Sequence, residues 1–218
     1  MAKKTATKET EEKKGIQSEI IKVRLTLTEG LLGTSPADTE IHSTYIASLA
    51  PDALSKAEEV AAVGAAEVEE KSITVFPRDE DGSPFLWDYQ IKGFFKGACG
   101  FLRNVKGTYS KDLTSYKKKI DGLVFVYPRR VRLHMNGPMG QCQRPLRAST
   151  AQGERVALAH SEEAPAGSFI EFDVECLTPE MRDCVYEWLD YGEKHGIGQW
   201  RNSGKGRFTW DEREADSE

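Results

Sequence analysis

Two segments near opposite ends of the chain alternate apolar and polar residues with period two, which constrains the fold to a sheet buried on one face. In the first, Ile21, Val23, Leu25 and Leu27 alternate with Lys22, Arg24, Thr26 and Thr28. In the second, residues 168–177 read Ser-Phe-Ile-Glu-Phe-Asp-Val-Glu-Cys-Leu. Successive side chains of a strand point to opposite faces, so such a run suits a strand with one side in the core and the other in water. A third run repeats the pattern, with Val131, Leu133 and Met135 facing one way and Arg130, Arg132 and His134 the other. Short strands are also expected at 73–76 and 123–128.

Helical spacing fills the intervals. Over 88–105, Ile91, Phe94, Phe95, Ala98, Cys99 and Leu102 share a stripe, although Gly93, Gly97 and Gly100 weaken the helix. A second helix opens with Thr178 as N-cap and Pro179 at its first position, carries Met181, Val185, Trp188 and Leu189, and ends at Gly192 or Gly196. Lys117 to Lys119 read as a solvated loop, and the stretch after 135 as a polar connection. Strand, insertion, helix, strands, strand, helix and final strand predict an α+β fold. It is ferredoxin-like or RNA-recognition-motif-like, an antiparallel sheet with helices on one face and an inserted helical segment.

A chain of 218 residues reads as one domain at 19–211 with an insertion at 34–72. Disordered tails are expected at 1–18 and, acidic, at 212–218. No run reaches the roughly 20 apolar residues of a membrane helix, and the N-terminus has no secretion signal, so a soluble cytoplasmic protein with no membrane partner is expected. Cys99, Cys142, Cys176 and Cys184 form no CxxC pair. Neither zinc ligation nor a disulfide framework is indicated, and no metal and no cofactor are expected.

The net charge of -5 is the sum of unlike parts. From Asp38 to Gln90, twelve acidic residues stand against three basic ones, a net of -9. From Ile91 to Thr150, thirteen basic residues stand against two acidic ones, a net of +11. The second segment suggests a surface able to neutralise phosphates, with Arg130 and Arg132 aimed at one sheet face. After the last helix, Gly196, Gly198, Gly204 and Gly206 alternate with Trp200, Arg201, Lys205 and Arg207. Glycine lets backbone approach a phosphate, and the cations would neutralise it. The same composition also suits a tight helix-to-strand connection. It is no Walker motif, because Gly206 stands where a hydroxyl is required after the lysine.

This loop resembles the C-terminal glycine-rich loop of the RAMP superfamily, the RNA-recognition-motif-like CRISPR-associated proteins. Two further pieces agree in order. Gln90-Ile91-Lys92-Gly93-Phe94-Phe95-Lys96 is similar to the start of the first helix in backbone subunits of CRISPR effector complexes, and Glu163 to Phe172 is similar to their V-P-A-G-x-x-F-x-F strand entry. Phenylalanine stands where small residues follow the Lys-Gly pair in that family, and lysine replaces arginine at 96. The resemblance implies a binder of single-stranded guide or target RNA, with copies of itself or CRISPR effector subunits as partners. It further implies a protruding hairpin carrying Arg144 and Arg147, phosphate contacts from Lys92, Lys96 and the loop, and a Trp200 that either stacks on a base or anchors the loop from beneath. Some relatives cleave RNA, so an endoribonuclease is an alternative, with Asp38 and His134 as catalytic candidates. Asp38, Glu40 and His42 match no defensible ligand set. A phage-encoded mimic or inhibitor of a CRISPR complex, docking through the acidic 38–90 segment, is the other alternative.

Overall fold

The computed structural model describes residues 17–36, 73–150 and 153–213. Most of the expected N-terminal tail and most of the expected inserted helical segment lie outside these residues, as do Asp38, Glu40 and His42.

The two alternating runs become the central strands. β1 (Glu19–Leu27) and β10 (Phe169–Cys176) pair antiparallel along eight positions, from Glu19 opposite Cys176 to Thr26 opposite Phe169. β11 (Phe208–Glu212) flanks β1 on its other side. β6 (Val124–Tyr127) and β7 (Arg130–His134) both pair with β10, and β5 (Phe85–Trp87) adds to β7. The resulting order, β11-β1-β10-β7-β5, is the antiparallel ferredoxin-like arrangement expected of the sequence. β11 reaches Glu212, and the Arg213 N–H donates to the Lys22 carbonyl at 2.7 Å, so the sheet enters the stretch read as tail.

Three described helices cover the face to which the apolar positions point: α1 (Asp88–Leu102), α2 (Tyr116–Leu123) and α3 (Pro179–His195). Val23, Val174, Phe95, Val185 and Leu189 are completely buried between the layers. Each such side chain contributes about 1.5–3 kcal/mol by leaving water. Thr178 caps α3 by accepting from the Met181 N–H at 3.3 Å, and Gly196 ends it with φ 80°. The indole of Trp188 is buried and donates to Ser110 Oγ at 2.8 Å, so its polar edge is satisfied.

Lys117 to Lys119 lie in helix α2 rather than in a loop. Ile120 is the one buried residue of that helix, which therefore carries no apolar period to read. Within the polar connection lies a long arm, β8 (Gly140–Thr150) paired with β9 (Gly153–Ala164) in unbroken register, a hairpin in the stretch where the resemblance implied one. β9 also joins β2 (Leu31–Leu32) and β4 (Thr74–Val75), and β4 pairs with β3 (Ser35–Pro36), with Pro36 opposite Thr74. This second sheet stands beside the glycine-rich loop. All four cysteines are free, and Cys99, Cys176 and Cys184 are buried. Burial pushes the Cys176 and Cys184 thiols up to about 12, so neither is a nucleophile at neutral pH.

Candidate nucleic-acid interface

The glycine-rich loop is shaped by its own backbone. Gly196, Gly198, Gly204 and Gly206 all have positive φ, between 72° and 90°. A Cβ on Gly206 would stand 2.0 Å from the Ile197 carbonyl oxygen, and one on Gly196 would stand 2.6 Å from that of Lys205. The two sides of the loop are joined by Ile197 N–H to the Gly206 carbonyl at 2.9 Å, and Gly206 N–H bonds the Gly30 carbonyl at 2.9 Å. Lys205 Nζ meets Glu163 Oε1 at 2.5 Å, and that hydrogen bond raises its pKa. Lys205 is thus a strut between the loop and β9.

Between this loop, β2 and the N-terminal half of α1 lies a groove of about 270 Å³. Leu31, Leu32, Leu86, Phe94 and Ile197 give it apolar walls, while Gln90, Gln199, Thr34 and Arg201 supply polar groups. Gln90 closes the first turn of α1 by accepting from the Trp87 N–H at 2.8 Å, and its amide donates to Thr34 Oγ1 at 2.5 Å. Gln199 donates to the Gly33 carbonyl and to Thr74 Oγ1, pinning the loop to the second sheet. Gly93 also lines the groove, and a Cβ there would meet nothing within 4 Å. A Cβ on Gly97 would meet only the Arg201 guanidinium, at 3.8 Å. These helix glycines, each costing about 1 kcal/mol against alanine, leave an open strip along α1 that no described part of the chain fills.

The cations divide into two groups. Arg130 pairs with Asp79 at 2.6 Å and Arg132 with Asp81 at 3.0 Å, both carboxylates lying on the turn before β5. Hydrogen bonds from Ser83 hold the Asp81 carboxyl below its usual range, so that pair stays ionised. Lys96 pairs with Asp121 at 2.6 Å, while Lys92 bonds the Asp121 carbonyl at 3.2 Å and lies over the Phe125 ring. Burial pulls the Lys92 ammonium below its ordinary value. Arg201 and Arg207, in contrast, have no acidic partner among the described residues.

The strand alternation holds as expected: Arg130 and Arg132 are exposed, and Val131 and Leu133 are buried. His134 does not stand alone on that face. It stacks on Phe169 with ring centroids 4.5 Å apart, and the Arg24 guanidinium lies over the same Phe169 ring, 3.8 Å from its centroid. Trp200 is 38% exposed rather than anchored beneath the loop, and Arg144 lies 5.1 Å from its ring centroid. The backbone of Arg147 lies on β8 of the arm, opposite Val156. His195, at the end of α3, packs against Phe101 and Tyr191, and burial lowers its pKa. The sequence pointed to the loop and to α1. It did not reveal that β2 and Gln199 complete the groove, because they reach it through contacts far apart in the chain. Among the described residues, no group of three His, Cys, Asp or Glu side chains is placed to hold a metal ion, and no helix is long and apolar enough to cross a membrane.

This is an α+β fold of the ferredoxin-like class with a protruding two-stranded arm and a glycine-rich loop. Neither a protein-family model nor a curated protein matches the chain. Among solved structures it is similar to a chain in the cryo-EM structure of the Type III-B Cmr-beta bound to cognate target RNA. The TM-score is 0.50 at 11% identity, over 90% of this chain and 59% of that one. The likeness is one of fold, and this chain spans less than two thirds of the neighbour's length.

Proposed function

We propose that the protein binds single-stranded RNA along the groove between α1 and the glycine-rich loop, as a subunit of a CRISPR-type or related ribonucleoprotein assembly. The observation that carries this reading is the coincidence of Arg201, a cation without an acidic partner among the described residues, with a strip of α1 kept open by Gly93 and Gly97; Arg207, likewise without an acidic partner there, lies further along the same loop. A phosphodiester backbone is narrow, anionic and able to lie close to a glycine surface, and it would supply the missing counter-charges. The apolar walls of the groove suit ribose and base edges. The complex to which the similar chain belongs is bound to target RNA, and the shared fold supports a like use here. Arg130 and Arg132 would contribute only by exchanging Asp79 and Asp81 for phosphates.

The test is fluorescence anisotropy of a fluorescein-labelled single-stranded RNA between about 50 and 200 mM salt, where each phosphate contact contributes about 0.7 to the slope of log affinity against log salt. Wild type is expected to bind with a steep salt dependence. Arg201→Ala combined with Arg207→Ala is expected to weaken binding roughly 10- to 100-fold and to lower the slope by about 1.4. Absence of salt-sensitive binding by the wild-type protein would refute the reading.

A further inference from the structure

Phe101, Val105 and Tyr109 are 55%, 48% and 59% exposed, and they follow one another along the end of α1 and the loop after it. A single exposed apolar residue is ordinary, but three of the seven large exposed apolar side chains among the described residues fall within this stretch. The stretch is held firmly. Phe101 stacks on Tyr191 of α3 with ring centroids 6.3 Å apart and packs against His195 at 5.3 Å. The Thr108 hydroxyl lies 2.9 Å from the Leu102 carbonyl oxygen and 3.0 Å from that of Val105, closing the loop on itself. The Tyr109 and Ser110 N–H groups donate to the Glu187 carboxylate at 2.7 and 3.0 Å. Glu187, Tyr191 and His195 share one row of α3 by helical spacing, so the loop and the end of α1 lie along that row.

Arg103, Lys106 and Lys111 are interleaved with the apolar side chains, and all three are exposed. None has an acidic partner among the described residues, and the chain holds no acidic residue from Phe101 to Lys111. Glu187, the carboxylate that α3 brings to the loop, is engaged by the Tyr109 and Ser110 backbone and by the Ser110 hydroxyl. A nucleobase stacks on a free ring face, whereas Phe101, Tyr191 and His195 turn theirs on one another. Val105 has no such face to offer. The patch is made of helix ends and loop rather than a strand edge, so a partner arriving there must already have its backbone hydrogen bonds made.

We propose that the ends of α1 and α3, with the loop between Arg103 and Lys111, form a docking surface for an acidic amphipathic helix of a partner protein. The apolar side of that helix covers Phe101, Val105 and Tyr109, and its carboxylates pair with Arg103, Lys106 and Lys111. Aromatic anchors surrounded by polar and charged groups are the usual make-up of such an interface. The surface shares no residue with the lining of the groove, so RNA and a protein neighbour need not compete.

The probe is a fluorescein-labelled peptide of three heptads, with leucine at the a and d positions and glutamate or alanine elsewhere. Its control carries glutamine in place of every glutamate. Each is titrated with the full chain at about 0.1 M salt, where the screening length is about 10 Å. Wild type is expected to bind the glutamate peptide at least about 10-fold more tightly than the glutamine peptide, with an affinity that falls as salt rises. Phe101→Ser is expected to weaken that binding roughly 10- to 30-fold, as loss of an aromatic anchor should. Lys106→Glu with Lys111→Glu is expected to weaken it about 10-fold and to flatten its salt dependence. Val105→Ser leaves the ring cluster intact and is expected to weaken it several-fold. All these side chains are exposed, so each variant should melt within about 2 °C of wild type. If wild type does not bind the glutamate peptide, binds the two peptides alike, or is matched by the variants, the docking surface is refuted and the RNA reading stands on its own assay. If Phe101→Ser and Val105→Ser weaken binding of the labelled RNA as much as Arg201→Ala with Arg207→Ala does, the patch continues the RNA site and the proposal fails. Peptide binding by a wild type that binds no RNA upholds the docking surface and overturns the groove reading alone.

Discussion

The outer face of the main sheet and the margin of the glycine-rich loop are both rich in arginine, but their charges stand in opposite states. On the sheet, Arg130, Arg132 and Arg213 each face an aspartate at 2.6–3.0 Å, and Arg24 faces Glu171 at 3.6 Å. At the loop, Arg201 and Arg207 face no acid among the described residues. A surface pair contributes only about 0–1 kcal/mol to stability, yet each carboxylate must be displaced before a phosphate takes its place. The number of cations in a segment therefore says less about anion binding than the number left over after the fold has paired them.

The comparison is broken most severely by reshaping the loop that displays the free cations. Gly206→Ala combines a positive φ with a Cβ 2.0 Å from the Ile197 carbonyl oxygen, and is expected to cost on the order of 4 kcal/mol, roughly 10 °C in melting temperature. A melting curve matching wild type would contradict the rigid loop described here. Next in size is the contrast between the two arginine groups. Arg130→Ala with Arg132→Ala should weaken RNA binding less than about threefold, against the far larger loss expected on removing Arg201 and Arg207. Equal losses from the two double variants in the anisotropy assay would erase the distinction between paired and unpaired cations. The smallest effect sharpens the role of α1. Gly93→Ala should stabilise the helix by about 1 kcal/mol, or 2–4 °C in calorimetry, while weakening RNA binding several-fold because its Cβ enters the open strip. Stabilisation without loss of binding would mean that no ligand approaches the helix there.

Legibility of the fold in the sequence followed burial. β1, β10 and β7 alternate because one face of each lies in the core, and α3 shows its cap and stripe because Thr178, Met181, Val185 and Trp188 do local work. The arm was legible only through the resemblance that placed a hairpin at Arg144 and Arg147, because no described side chain of β8 belongs to the hydrophobic core, and a strand without a buried apolar face has little reason to alternate. Helix α2 was obscure because a single isoleucine anchors it. At the candidate site, the glycines and cations were plain, since their chemistry is local. What they do was not, because Arg130 meets Asp79 across 51 positions of sequence and Arg144 meets Gln199 across 55. Such pairings depend on the register of the sheets, which no segment count contains.

The small ladder of β3 with β4 has a wider meaning for the architecture. Pro36 lies opposite Thr74, so two residues far apart in the sequence are brought side by side, as two hems are closed by a single seam. Closing a longer or shorter loop across such a seam changes the entropy of closure only slowly. That cost is offset where the seam is made, by the pairing of β3 with β4 and of β4 with β9 and by the hydrogen bonds of Thr74 Oγ1 with Ser161 and Gln199.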